Sequence, residues 1–148
     1  MSEKILDLKS LYETDYIQWL EAMINRLKNH QFNDLDAENL IEELEALGRN
    51  EKSAVASLVI KLIQHLLLYQ YWEVEKEYNR KHWQIEIIAF RTQIELKMTT
   101  NLKNYLRERL DYLYRKAKKI AELKSDLSLP SVNPYSLEQI LDEDWLPD

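Results

Sequence analysis

The sequence predicts an all-α protein: a single-domain helical bundle of four to five helices, ending in an extended C-terminal tail with one short helix. Three observations predict it. The 148 residues include one glycine and three prolines, so the residues that hairpin turns need at positive φ are almost absent. Apolar residues recur at three- and four-residue spacing along most of the chain, the period of a helix with one buried face. Helix-start signatures stand between those stretches. With 45% hydrophobic and 31% charged residues, the composition is that of a globular protein long enough for one core. The reading is one domain over residues 1–148, with a helical core over 1–124 and an acidic, proline-containing tail over 125–148 docked on it.

The elements follow in order. Asp15 is placed to cap a first helix, with Gln18 at the capping-box position; Tyr12, Tyr16, Ile17, Leu20, Met23, Ile24 and Leu27 share its apolar spacing. Asn29 to Asn33 is a polar stop. Asp34 or Asp36 caps the second helix. Ala37, Leu40, Ile41, Leu44, Leu47 and Gly48 fall on one face of that helix, and Glu51, Val55, Leu58, Val59, Leu62, His65, Leu66 and Tyr69 continue it in phase. One long or slightly kinked helix from Asp36 to about Trp72 is therefore expected, with Val55–Trp72 as the centre of the domain. Gly48 falls on its buried side, as a helix end, a kink, or a point of close approach for another helix. Glu73 to Lys81 is polar, a loop or an exposed helical extension. Trp83, Ile87, Phe90, Ile94 and Met98 mark a third helix. Thr99 or Thr100 caps a fourth, carried by Leu102, Leu106, Leu110, Leu113, Ala117, Ile120 and Ala121 to about Lys124. Two prolines make Ser125–Pro134 extended. Ser136-Leu137-Glu138-Gln139 is a capping box opening a short helix through Leu141, and Trp145 is expected to dock on the body.

Charge is segregated. Residues 1–51 hold 5 Lys and Arg against 12 Asp and Glu, residues 52–124 hold 15 against 8, and residues 125–148 hold none against 6. Acidic and basic segments facing one another, within the fold or across a homodimer, account for this pattern. There is no cysteine, which excludes disulfides, thiolate metal sites, iron–sulfur clusters and thiol catalysis. Met1–Asp7 carries acids where a signal peptide would be apolar. Val55–Trp72 is interrupted by Lys61, Gln64 and His65, so it reads as a buried helix with no membrane role. The expected location is cytoplasmic.

Chemistry-bearing residues fall into three groups. Glu38, Glu42 and Glu45 share a helix face that Arg49 continues. They are a solvated face with a Glu45–Arg49 pair, or helix-borne ligands for a divalent metal. The Glu42–Glu45 spacing resembles that of helical pyrophosphohydrolases, but no second acidic pair of that spacing suits it: Glu73, Glu75 and Glu77 are wrongly spaced, and Glu108 with Asp111 sits on a basic helix. No other cofactor is implied. In the second group, Glu51 and His65 lie in the apolar stripe, where charge is costly unless paired, and about 21 Å apart along a straight helix. Each then needs a partner from another helix. Arg91, beside the Trp83–Phe90–Ile94 stripe, is the candidate partner for Glu51 or Glu43. Glu43, Glu51, His65 and Arg91 are thus the candidate catalytic residues, against the alternative of structural ion pairs. In the third, Tyr105, Tyr112 and Tyr114 interleave with Arg107, Arg109 and Arg115 on the basic helix over 107–124, a weak nucleic-acid signal set against acidic flanks.

The combined pattern resembles the bacterial, largely cyanobacterial, family called domain of unknown function 29. The matching stretches are Tyr12-Glu13-Thr14-Asp15-Tyr16 with Trp19, Asp36 to Leu44 with Leu47-Gly48-Arg49 and Glu51, His65-Leu66-Leu67 with Tyr71, Trp83, Arg91, and Pro134 to Leu141. The resemblance implies an all-helical protein of this size and supplies no activity or catalytic residue. The sequence thus points first to an interaction or structural module that self-associates or binds a protein partner. A metal-dependent hydrolase or metal-binding protein, using the helix-borne carboxylates with His65, is the rival, and nucleic-acid binding through residues 107–124 a third reading.

Overall fold

The computed structural model describes residues 2–148, with side chains from Asp7 onward; the acids and apolar residues of Met1–Leu6 that bear on a leader sequence lie outside the side chains described. These residues form six α-helices and no strand: α1 (Ser2–Thr14), α2 (Tyr16–Lys28), α3 (Ala37–Tyr71), α4 (Glu73–Lys97), α5 (Thr100–Ser125) and α6 (Leu137–Leu141). The chain is all-α. Its contacts fall into two compact units, one ending at Asn50 and one running Glu51–Asp148.

The first unit holds α1, α2, a 3-10 turn at Phe32–Asp34 and the opening turns of α3. Asp15 caps α2 as predicted, its Oδ1 accepting from the Gln18 N–H at 3.1 Å. The preceding helix α1 was not expected, because its acids and lysines leave few apolar positions. Its Leu8 packs with Trp19 and Met23 into a small core flanked by Leu11, Tyr12, Leu20, Leu35 and Leu40. The apolar spacing read for α2 passed over Trp19, which is fully buried, and included Tyr16, Ile17, Ile24 and Leu27, which are exposed.

Helix α3 runs unbroken through Gly48 for 35 residues. Its first turns do not bury the face that their spacing led us to expect. Ile41, Leu44 and Leu47 are 55–60% exposed, and Gly48 and Glu51 are also exposed. Helical phase says which residues share a face; it does not say that anything packs on that face. A Cβ built on Gly48 would meet nothing within 4 Å. Gly48 neither ends the helix nor admits a neighbour among the described residues, although an exposed mid-helix glycine costs about 1 kcal/mol relative to alanine.

In the second unit the same helix is its centre. Val55, Val59, Leu62 and Leu66 are fully buried, as are Ile63 and Leu67 beside them. This stretch is apolar and long enough to cross a membrane by length and composition alone, with 50% of its most apolar window buried. The polar segment after Tyr71 is helical: α4 starts at Glu73, with Glu73 and Glu75 in its first turn where carboxylates favour the positive helix end. Trp83, Ile87 and Ile94 of α4 join the core with Leu102, Leu106, Leu113, Ala117 and Ala121 of α5. Thr99 caps α5, its hydroxyl accepting from the Leu102 N–H at 3.2 Å.

The tail covers this core with Leu129, Tyr135, Leu137 and Ile140, all buried. Tyr114 donates its hydroxyl to the Pro130 carbonyl at 2.5 Å, and Tyr135 donates to Gln70 Oε1 at 2.7 Å. The Ser136–Gln139 capping box forms with both of its reciprocal bonds. Trp145 packs edge-on against Tyr135 with ring centroids 5.6 Å apart.

Helix α5 ends on Asp126 in the left-handed region, φ 58, where a Cβ is strained and glycine is not. Asp126→Gly is expected to raise stability by about 0.5–1 kcal/mol. Urea unfolding checks this; a lower midpoint would show that the aspartate side chain holds the turn.

Candidate functional site

The sequence-predicted polar residues do not assemble as expected. Glu43 belongs to the first unit, where two phenols hold it. Tyr12 donates to its Oε1 at 2.5 Å and Tyr16 to its Oε2 at 2.6 Å. Both rings lie on Trp19, Tyr12 edge-on at 4.8 Å and Tyr16 stacked at 6.0 Å. Beneath them the Trp19 indole N–H donates to Asp36 Oδ2 at 3.1 Å, and the Asn39 amide donates to the same oxygen at 2.7 Å. Asp36 is fully buried. Its Oδ1, like that of Asp34, is buried with no donor among the described residues. The tyrosine bonds favour the ionised carboxyl and hold Glu43 below the ordinary carboxylate value, with the tyrosine 12 bond the larger effect. The same bond to Glu43 pushes Tyr12 up to about 12, and Tyr16 is raised likewise.

Sequence reasoning missed this cluster as a unit, taking Asp36 only as a helix cap. The signal was the Asp36–Asn39 spacing at a helix start together with a buried indole that needs an acceptor.

The remaining candidates lie in the second unit and stay apart. Glu51 is exposed and does not point inward. His65 is half-buried, and its partner is on its own helix: Nδ1–H donates to the Lys61 carbonyl at 2.7 Å. Its ring packs on Phe90 at 5.2 Å, and burial pushes its pKa down. Within this unit Arg91 does not pair with Glu51. Arg91 is 5% exposed, and its guanidinium donates through Nε to the Ile140 carbonyl at 2.8 Å, through Nη1 to that of Trp145 at 2.7 Å, and through Nη2 to that of Gln139 at 3.1 Å. Burial lowers its pKa, partly offset by Asp142.

The acidic face is solvated. Glu38 pairs with Lys9 at 3.3 Å, Glu45 pairs with Arg49 at 3.9 Å as the spacing predicted, and Glu42 is exposed. Among the described residues no three His, Asp or Glu side chains gather as a metal site.

A family model, the domain of unknown function DUF29, matches residues 11–146. The chain belongs to the DUF29 family. The match takes in the tyrosine–Glu43 cluster, Arg91 and the tail carbonyls that Arg91 holds. No curated protein and no solved structure matches the chain.

For Glu43 the sign of the pH dependence follows from the lowered carboxyl. Its contribution to stability is complete above the ordinary value of 4.5 and is lost as pH falls through the depressed pKa. Tyr12 acts oppositely: its contribution is complete below 10.0 and is lost as pH rises towards about 12. In Tyr12→Phe the Glu43 carboxyl is expected to titrate closer to its ordinary value, followed by carboxyl-carbon NMR. An unchanged titration would show that the bond is not made in solution.

Proposed function

We propose that this chain is a helical interaction module whose partner is a second copy of itself, with the acidic opening turns of α3 packing on the basic α5 of the partner. The carrying observation is a pair of uncovered apolar rows of opposite charge. On α3, Ile41, Leu44 and Leu47 are exposed beside Glu38, Glu42 and Glu45. On α5, Tyr112, Ile120 and Leu123 are exposed among Arg109, Arg115, Lys116, Lys119 and Lys124. Arg109 and Lys116 already lie over the Tyr112 ring, at 4.4 and 5.4 Å.

Three physical arguments support this reading. Contiguous exposed apolar side chains on one helix mark an interaction surface. None of the five α5 cations joins an ion pair among the described residues, and on α3 Glu42 joins none while Glu38 and Glu45 make only exposed pairs with Lys9 and Arg49, so the basic row is free to steer an acidic partner. Gly48 sits in the α3 row with open space above it; a partner backbone approaching there accounts for a residue that costs the helix stability. A reciprocal pair makes the contact twice and closes, which brings the buried area towards that of a stable interface.

Light scattering after size exclusion at low salt is expected to give twice the chain mass, with dissociation as salt rises. Glu42→Lys with Glu45→Lys should weaken association at least tenfold. Lys116→Glu with Lys119→Glu should do the same, and the four changes together should restore it. A monomer at every concentration, or no recovery in the combined variant, would overturn the pairing.

A further inference from the structure

A second cluster stands apart from those rows. Beside the Arg91 guanidinium lies a cavity of about 310 Å³, within the second unit. Its floor is Arg91 with Ile94, both buried. Met98 and Leu141, half-buried, form its wall, and the exposed Glu95, Lys103 and Glu143 line its rim. The volume is at the small end of metabolite sites, about 300–1,000 Å³.

Two features of this cavity bear on what it takes. Arg91 is a buried cation that joins none of the ion pairs among the described residues. A guanidinium has five N–H donors, and the three carbonyls use one on each nitrogen. One N–H therefore remains on each terminal nitrogen, the pair that suits a carboxylate. The lining also balances: Arg91 and Lys103 set two positive charges against two negative ones from Glu95 and Glu143. A simple anion would meet the two rim acids as well as the two cations. A dipolar molecule satisfies both signs.

We propose that this cavity binds a free α-amino acid with an apolar side chain. The carboxylate takes the spare Arg91 donors with Lys103, the ammonium takes Glu95 or Glu143, and the side chain lies on Ile94, Met98 and Leu141. Only the free molecule carries both charged groups on one carbon, so neither end of a peptide chain presents the same ligand.

The test uses the full chain and four probes: L-leucine, 4-methylpentanoate, 3-methylbutylamine and glycine. The last three each lack one feature: the ammonium, the carboxylate or the apolar side chain. L-Leucine at about ten times its Kd is expected to raise Tm by roughly 3–5 °C and to shift amide resonances of Ile94, Met98, Lys103 and Leu141. Each of the other three should bind at least tenfold more weakly. Arg91 variants would release the tail, so the variants are Glu95→Gln and Lys103→Gln, both at exposed rim positions. Each should weaken leucine while leaving the circular dichroism spectrum unchanged. No Tm or resonance shift at millimolar leucine would overturn the site. Equal binding of 4-methylpentanoate, or leucine binding unchanged in both variants, would overturn the dipolar ligand.

Discussion

Arg91 sets the terms for the second unit. A guanidinium keeps its charge at any pH a protein meets, so burying one demands acceptors. Here the acceptors are backbone carbonyls of Gln139, Ile140 and Trp145. Two of them are carbonyls of α6, a helix too short to be stable alone. The cation satisfies groups that the short helix leaves open at its end and fixes the tail at a single register. With that register set, Leu137 and Ile140 enter the core, Tyr135 reaches Gln70, and Tyr114 reaches Pro130. Arg107 adds an exposed ion pair to Glu138 at 2.8 Å, a contact of little weight beside the buried one.

The first unit solves a smaller version of the same problem with the charge reversed. Trp19 and Asn39 both donate to Oδ2 of the buried Asp36, whose Oδ1 has no donor among the described residues. Glu43 lies nearer the surface and takes its donors from Tyr12 and Tyr16. These bonds tie α1, α2 and the start of α3 together around an apolar core whose buried side chains, among the described residues, are Leu8, Trp19 and Met23. Farther along α3, Leu44 and Leu47 stay exposed.

What was legible in the sequence was local. Asp15, Thr99, Ser136 and Gln139 announce their helix starts because a cap is written in three or four consecutive residues, and all four act as read. The length of α3 was legible because its phase persists through Gly48. The burial of that phase was not, since Leu44 and Leu62 share a face and differ only in what lies opposite. Arg91 was read as the partner of a carboxylate, Glu51 or Glu43, but its acceptors are main-chain atoms 48 to 54 residues away, and a carbonyl has no side-chain signature. Trp19 and Asp36 were hidden for a related reason: the helical spacing passed over Trp19, Asp36 was read as a local cap, and their bond spans 17 residues.

The claim that Arg91 fixes the tail is tested most directly in Arg91→Met, which keeps much of the side-chain volume and removes the donors. The account predicts a loss of about 3 kcal/mol or more in urea unfolding, with amides of Leu137–Leu141 exchanging with solvent while those of Val55–Leu68 stay protected. Stability within about 0.5 kcal/mol of the parent, with the tail amides still protected, would contradict it.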